Sequence, residues 1–270
     1  MKMSHSDLGA RLEPRRHELV FRSATLAKRT FVTPSYVRLR FEGTELRGFD
    51  SPGADDHIRV FFPTEPLTDM RDAPNREYTP VCWDAEAGWL DIDVALHDRG
   101  HLDDTTPPAN AGIGSRWAEL APLGAPVGIG GPRGSMVLVG RPDAWLLAGD
   151  ETAAPAIRRF AAAMDDDAVG RIAIEVPDAA HDLPVAAPAG VEVVQLHRGD
   201  RPAGAELSDW LDALDVEEQP DGCVFGFVAA EQSIVRAGRA LLLDRWSGDP
   251  AATVVKGYWK RGTAEYHAPH

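Results

Sequence analysis

Short runs of alternating apolar and polar residues dominate the first part of the chain. The clearest runs span residues 36–41, 58–62 and 90–94. Gly, Pro and Asp residues separate these runs at the spacing expected of an antiparallel barrel or sandwich. The pattern therefore predicts an all-β region over about residues 18–100.

From residue 144 the pattern changes to apolar strands that alternate with amphipathic segments. Strands are predicted at 145–148, 172–176, 191–194, 224–228 and near 253–255, and helices at 152–164, 205–214 and 231–246. Strands and helices in alternation form a mostly parallel sheet that is covered on both faces. A β-barrel followed by such a doubly wound domain is typical of the ferredoxin-reductase group.

A change of pattern near residue 140 divides the chain into two predicted domains. Residues 121–131 are rich in turn formers, and an apolar run at 137–139 closes the first half. A length of 270 residues also exceeds the roughly 250 at which a single core stops growing. We therefore expect a flexible N-terminus over 1–17, a barrel over 18–140 and an α/β domain over 141–270.

Composition favours a globular protein and excludes several kinds of site. The chain is 44% hydrophobic and 26% charged, and it has no apolar run near the roughly 20 residues of a membrane helix. Its first 20 residues do not resemble a signal peptide, so we expect a cytoplasmic protein without membrane insertion. We also expect a monomer. Cys82 and Cys223 are too few for an iron–sulfur cluster or a four-cysteine zinc site. Redox chemistry would therefore require a bound organic cofactor.

A net charge of −14 excludes nucleic acid as a favoured partner and makes local basic clusters stand out. One such cluster, which lies near the C-terminus, comprises Lys256, Lys260 and Arg261, and Tyr258 and Trp259 are the two aromatic residues beside it. A charge run in this position is either a solvated face or a surface that attracts anions. No metal-binding spacing and no Ser-His-Asp signature is present.

Two segments of the first half could bind a nucleotide cofactor. Arg76 and Tyr78 fall on one face of a predicted strand, where an arginine can hold a pyrophosphate and an aromatic ring can pack on a flavin. On the alternation alone, a solvated arginine and a core tyrosine are the favoured interpretation. The segment 112–117 is glycine-rich and leads into a helix predicted near Ser115, so it is either a phosphate site or a plain turn.

In the second half, the segment 149–155 follows a buried strand and opens a helix, where a doubly wound fold binds dinucleotide phosphates. Asp150 and Glu151 would repel a phosphate, whereas Thr152 could bind one. The alternative is that the two acids and Thr152 only cap the helix. Glu175 ends the next predicted strand. An acid there could bind a ribose 2′-hydroxyl and repel a 2′-phosphate, which favours NADH over NADPH.

Six motifs in order resemble the siderophore-interacting protein family of ferric-siderophore reductases, over about residues 18–262. They are Arg76-Glu77-Tyr78-Thr79, Asp93-Val94-Ala95-Leu96-His97, Gly112-Ile113-Gly114-Ser115-Arg116-Trp117-Ala118, Gly130-Gly131-Pro132-Arg133-Gly134-Ser135, Gly149-Asp150-Glu151-Thr152-Ala153-Ala154-Pro155-Ala156-Ile157 and Gly257-Tyr258-Trp259-Lys260-Arg261-Gly262. Three positions depart from the family, which commonly has a basic residue at Val81, proline at Ile113 and alanine at Gly114.

The resemblance implies a role for each motif. FAD would be bound by Arg76, Tyr78, Thr79, Asp93, Val94, Leu96, His97, Gly112, Gly114, Ser115, Trp117, Tyr258 and Trp259. Of these, 93–97 would act through the strand backbone and 112–117 would bind the pyrophosphate. Thr152 would contact the nicotinamide donor, and Lys256, Lys260 and Arg261 would attract anionic ferric-siderophores.

The implied activity is FAD-dependent reduction of iron(III) in a siderophore, with NADH, NADPH or ferredoxin as the electron source. Two alternatives remain open. One is an NAD(P)H-dependent flavin reductase that serves another acceptor, and the other is a flavin- or siderophore-binding protein without turnover. The sequence assigns no role to residues 101–111, which form a longer connection than many relatives have.

Overall fold

The computed structural model describes residues 9–63, 69–96 and 112–263, which fall into two compact units. The barrel unit comprises Pro14–Met136. The α/β unit comprises Val137 onward together with the residues up to Glu13. The division therefore falls after Met136, and the stretch before Pro14 is grouped with the C-terminal unit.

The barrel unit is built on a seven-stranded antiparallel sheet with the order β5-β4-β8-β2-β3-β7-β6. β5 also contacts β7, because the sheet curls around its core as a half-barrel. One helix, α1, precedes β8. The elements are β2 (Phe21–Thr33), β3 (Tyr36–Glu42), β4 (Ile58–Phe61), β5 (Asn75–Tyr78), β6 (Pro80–Asp84), β7 (Trp89–Ala95), α1 (Ile113–Leu120) and β8 (Pro126–Gly130).

The period-two pattern of β3 and β7 explains how this sheet forms its core. Alternate residues of both strands are buried in one apolar cluster, namely Val37, Leu39, Phe41, Leu90, Ile92 and Val94. The intervening positions carry arginines on β3 and aspartates on β7. These lie directly opposite each other and form ion pairs on the other face.

The α/β unit contains a five-stranded, fully parallel sheet with the order β12-β11-β10-β13-β14. Its elements are β10 (Ala144–Asp150), α2 (Ala154–Ala162), β11 (Val169–Val176), β12 (Gly190–His197), α3 (Ala205–Ala213), β13 (Val224–Glu231), α4 (Ile234–Arg239) and β14 (Thr253–Trp259). A π-helical turn, Ala240–Arg245, continues α4. The predicted order of a barrel followed by a doubly wound domain is confirmed.

Helices cover both faces of the parallel sheet. Trp145 of β10 and Phe160 of α2 both pack against Phe225, with ring centroids 5.3 and 4.9 Å away. Leu146 and Ala148 point to the opposite face, into the cluster that includes residues of α3 and α4. Both faces of β10 are therefore buried, which is why its sequence is a continuous apolar run.

Part of the segment expected to be flexible, residues 1–17, forms a strand where the structure describes it. β1 (Arg11–Arg16) pairs with β9 (Gly134–Val139) in a separate two-stranded sheet. The charged sequence of β1 has no apolar alternation, so the strand depends on its partner. Within the described residues, no helix has the length and apolarity needed to cross a membrane.

Candidate functional site

The β5 strand presents Arg76 and Tyr78 on one face, because side chains alternate along a strand. In the register with β4, Arg76 lies opposite Val60 and Tyr78 opposite Ile58. Both side chains are half-buried, while Glu77 between them is exposed. The guanidinium of Arg76 donates to the carbonyl oxygen of Asn75 at 2.6 Å.

Tyr78 packs against the start of α1. Its ring meets Phe62 edge-on with centroids 6.0 Å apart, and burial raises the pKa of its phenol above the ordinary value. The hydroxyl lies where a side chain at position 114 would begin, since a Cβ on Gly114 would be 2.2 Å from the Tyr78 oxygen. The alanine common in the family at Gly114 would therefore require a different tyrosine position.

This contact predicts the effect of Gly114→Ala. We expect the substitution to lower the free energy of unfolding by about 1–3 kcal/mol, because the new methyl group overlaps the tyrosine hydroxyl. Gly114→Ala in a Tyr78→Phe background should be tolerated, since the next atoms lie 3.5 and 3.7 Å from the Cβ. Urea unfolding of the four proteins checks this. Equal losses in both backgrounds would contradict the proposed overlap.

The first turn of α1 offers backbone donors beside Tyr78. The first backbone hydrogen bond of the helix runs from Arg116 N to Gly112 O at 3.0 Å, so the amides of residues 113–115 have no acceptor within the helix. Gly112 is exposed, and a Cβ there would meet open space. Amides without an acceptor in the helix, a helix N-terminus and a neighbouring strand that carries an arginine suit a pyrophosphate and fit the phosphate part of FAD.

The end of β7 also suits a ligand that binds through the backbone. β6 pairs with β7 only between Trp89 and Ile92. On that side, the main chain of residues 93–96 faces no other strand of the described residues. The side chains of Val94 and Leu96 point into the core, and Ser115 ties α1 to Ala95 O at 3.5 Å. Any flavin contact from this strand would therefore come from its peptide groups.

The Asp93 side chain has a structural partner. Arg38 binds it through two hydrogen bonds of 2.7 and 2.9 Å, and the carboxylate is fully buried. Arg40 and Asp91 form the neighbouring pair, at 2.7 and 2.8 Å. The thiol of Cys82 donates a hydrogen bond to Asp91. Burial of the thiol, and next the charge of Asp91, raise the pKa of Cys82 to about 11. These pairs hold β3 and β7 together.

Several other expected cofactor residues lie apart from an open surface or outside the described chain. Trp117 is buried in the core, 5.1 Å from Phe62 between ring centroids, so its side chain anchors α1. Thr79 is buried and Val81 is half-buried, in the segment after β5. His97 and the 101–111 connection lie outside the described residues.

In the α/β unit, the carboxylate of Asp150, at the carboxyl end of β10, accepts several hydrogen bonds. Its Oδ1 accepts hydrogen bonds from the backbone N–H, at 2.9 Å, and the hydroxyl of Thr152. Its Oδ2 accepts from Trp259 Nε1 at 2.7 Å and from Glu231 N at 3.1 Å. The structure therefore brings two predicted site residues, Thr152 and Trp259, onto one buried carboxylate.

Glu151 is also engaged, so neither acid of this turn is left without a partner. Arg198 donates to Glu151 at 2.9 Å. Burial, and next the charge of Asp150, raise the pKa of Glu151. The repulsion of a phosphate that the sequence suggested is thus reduced, because these two carboxylates bind donors of the protein.

Glu175 lies at the end of the second strand of the parallel sheet, as predicted, but its carboxylate is not available to a ribose. Its carboxylate is fully buried and accepts hydrogen bonds from Gly204 N at 2.7 Å and Leu207 N at 2.9 Å, at the start of α3. Arg198 lies 3.8 Å away. Burial raises the pKa of Glu175, although the hydrogen bonds from the Gly204 and Leu207 amides act in the opposite direction. Because both oxygens cap a helix, the inference of an NADH preference from Glu175 loses its basis.

The C-terminal basic cluster begins within β14 and continues past its end. Lys256 is half-buried and lies opposite Ala229, whereas Lys260 and Arg261 are exposed. The backbone N–H of Arg261 donates to Glu231 Oε1 at 3.2 Å. Among the described residues, no group of three or more His, Cys, Asp or Glu side chains is arranged to hold a metal ion.

Sequence reasoning missed the carboxylates that organise this end of the sheet. Asp150 was expected either to repel a phosphate or to cap the following helix, and Glu231 was not considered. Both follow an apolar strand and precede a helical segment, and each accepts a backbone N–H two residues later, in the turn before the helix. Nothing in the sequence indicated that Trp259 would donate to Asp150.

Two family models match consecutive parts of the chain. The siderophore-interacting FAD-binding domain matches residues 25–72 and 67–136, and the siderophore-interacting protein model matches residues 142–262. Over 257 residues the chain is 28% identical to the ferric vibriobactin reductase ViuB of Vibrio cholerae serotype O1. That alignment covers 89% of this chain and 90% of the relative.

Solved structures give the same result. A siderophore utilization protein from T. fusca is 29% identical and superposes with a TM-score of 0.79, over 96% of this chain and 98% of that one. The ferredoxin reductase of carbazole 1,9a-dioxygenase in its FAD apo form is 14% identical with a TM-score of 0.62, over 90% of this chain and 68% of the other. The fold is therefore ferredoxin-reductase-like, as predicted.

Proposed function

Because the chain belongs to the siderophore-interacting protein family, we propose that it is an FAD-dependent reductase of ferric-siderophores with a nicotinamide donor. The main support is the juxtaposition of Tyr78, on the arginine-bearing face of β5, with the first amides of α1, which have no acceptor within the helix. The ferric vibriobactin reductase ViuB, to which the chain is similar over 89% of its length, supports the choice of substrate.

In this proposal the barrel unit holds the cofactor. Arg76 and the amides of residues 113–115 bind the pyrophosphate, and Tyr78 with the peptide groups of residues 93–96 places the ring system. Bound FAD would allow a two-electron hydride transfer from the donor to be followed by single-electron transfers to the acceptor. The phenol of Tyr78 can donate a hydrogen bond to the cofactor, and burial raises its pKa above the ordinary value.

The α/β unit receives the donor in this proposal. Thr152 stands at the turn between β10 and α2, where doubly wound sheets bind dinucleotide phosphates. The hydride of one donor carries two electrons, enough to reduce two iron(III) ions. We leave NADH and NADPH open because Glu175 is occupied by α3. Ferredoxin as a donor and the cytoplasmic location stay predictions.

Lys256, Lys260 and Arg261 would attract the anionic ferric-siderophore in this proposal. They stand out against a net charge of −14, and two of the three side chains are exposed. Electrostatic capture does not depend on the shape of the ligand, which suits substrates that vary in structure. Outer-sphere electron transfer to bound iron(III) requires no metal ligand from the protein.

Lys260→Ala should test this capture role. We expect the KM for an anionic ferric-siderophore to rise by roughly threefold to tenfold at low ionic strength, with a smaller rise at high salt. FAD content should not change. Arg239→Ala, which removes an equal charge from an exposed position on α4, is the matched control. Equal effects of the two variants would remove the basis for assigning the cluster to substrate capture.

Anaerobic flavin spectroscopy tests the whole proposal. The holoprotein is mixed with NADH, NADPH or reduced ferredoxin in turn, and then with catecholate and hydroxamate ferric-siderophores and an iron(II) chelator. Rapid flavin reoxidation with stoichiometric iron(II) supports the proposal. Reduced flavin that ignores ferric-siderophores but is oxidised by other acceptors would identify a general flavin reductase instead. Failure to bind FAD would leave a siderophore-binding role.

A further inference from the structure

The Asp150 carboxylate links two segments that are far apart in sequence. One is the turn after β10, whose Thr152 donates twice to Oδ1. The other is the end of β14, whose Trp259 donates its indole N–H to Oδ2 from 109 positions away. A fourth donor, Glu231 N, also reaches Oδ2. With four donors and no exposed surface, the carboxylate has its acceptor capacity filled.

A second carboxylate fixes the same C-terminal segment one step farther on. Glu231 accepts from Ser233 N at 2.7 Å and from Arg261 N at 3.2 Å. Burial opposes ionisation of Glu231, but these hydrogen bonds and the charge of Arg261 hold its pKa below the ordinary value. Trp259 and Arg261 are thus tied separately, and only the Trp259 contact shares its acceptor with the β10–α2 turn.

We propose that Asp150 is a positioning residue that couples the β10–α2 turn to Trp259. This inference rests on the proposed function, in which donor phosphates bind at that turn. A phosphate there competes for the hydroxyl of Thr152, which can rotate and is one of the four hydrogen-bond donors of Asp150. When the hydroxyl turns to the phosphate, Asp150 keeps its three N–H donors, and its hydrogen bond to Trp259 changes. Binding of the nicotinamide nucleotide is therefore transmitted to Trp259, the aromatic residue beside the basic cluster.

The indole N–H of Trp259 provides a direct readout that needs no turnover. In ¹H–¹⁵N spectra of the holoprotein, Trp259→Phe identifies its signal. We expect that signal to move strongly in Asp150→Asn, where one carboxylate oxygen becomes an NH₂ group. The signal should stay in place in the control variant Asp143→Asn. Asp143 directly precedes the first residue of β10, and its carboxylate accepts a hydrogen bond from Cys223 N. Thr152→Val, which removes one donor, should move it by a smaller amount.

Addition of NAD⁺ or NADP⁺ tests the coupling. In the wild-type protein the Trp259 signal should shift with the same saturation curve as residues of the β10–α2 turn, and the shift should be lost in Asp150→Asn. In steady-state assays, Asp150→Asn should raise the donor KM by roughly tenfold, because an unsatisfied buried group disturbs the turn. Adding Trp259→Phe to Asp150→Asn should raise the donor KM little further, since the effects of substitutions at two residues that share one contact are not additive.

Three results would overturn the inference. The first is a Trp259 signal that is identical in wild type and Asp150→Asn. The second is nucleotide binding, visible elsewhere in the spectrum, with no response of Trp259. The third is the absence of any shift on nucleotide addition, which would also remove the nicotinamide donor from the proposed function. Reduction of ferric-siderophores by another donor would then survive, so the two failures are distinguishable.

Discussion

Replacing Arg76 with alanine is expected to weaken FAD binding by about 100-fold, because the variant loses charge-assisted hydrogen bonds to the pyrophosphate. Arg76 is half-buried on the same face of β5 as Tyr78, so a bound phosphate would be partly shielded from solvent. The alanine variant should therefore be purified with little flavin. Titration of the apoprotein with FAD, followed by flavin fluorescence, measures the change in Kd.

Arg59→Ala is the matched control for this prediction. Arg59 lies on β4, the neighbour of β5, and forms a surface ion pair with Glu77 at 3.3 Å. Since exposed ion pairs contribute little, its loss should leave the FAD Kd nearly unchanged. Circular dichroism of both variants separates loss of cofactor from loss of fold. An Arg76→Ala protein that keeps stoichiometric FAD would show that β5 does not bind the pyrophosphate.

Local periodicity was sufficient to predict most of the fold. The runs at 36–41 and 90–94 correspond to β3 and β7, because alternate residues of both strands enter one core. The apolar run at 145–148 lies in β10, whose two faces are both covered by helices. These patterns depend on burial of one or two faces, which leaves a trace in the sequence.

Elements whose stability comes from distant partners could not be predicted in this way. β1 consists largely of charged residues and is ordered through its pairing with β9. Trp117 has the position of a cofactor residue within its motif, but it packs against Phe62 and Phe41. The motif therefore located α1 correctly, while only the three-dimensional contacts revealed which side chains of the helix face the core.

The same limit explains the mistaken role of Glu175. An acid at the end of the second strand of a doubly wound domain is the sequence signal for a ribose ligand, and Glu175 has that position. The start of α3, roughly 30 residues later, provides two amide donors instead. Because a buried carboxylate requires such partners, the helix N-terminus and the acid stabilise each other.

Glu175→Ala should consequently affect stability and leave nucleotide preference unchanged. We expect the free energy of unfolding to fall by about 2–3 kcal/mol, because two amides of α3 lose a buried, charged acceptor and Arg198 loses a neighbour. The ratio of kcat/KM for NADH and NADPH should change by less than about twofold, since the side chain caps α3 and its oxygens are not free for a ribose. Urea unfolding and steady-state assays measure the two quantities.

Glu192→Ala is the control for this last prediction, because it removes an exposed glutamate of β12 that pairs with Arg171 at 3.5 Å. A surface pair of this kind contributes little, so the variant should unfold like the wild type. The two hypotheses for Glu175 differ in which quantity changes. A ribose ligand predicts normal stability with a large rise in the KM for NADH, whereas a helix cap predicts lower stability with no change in the choice between the two nucleotides.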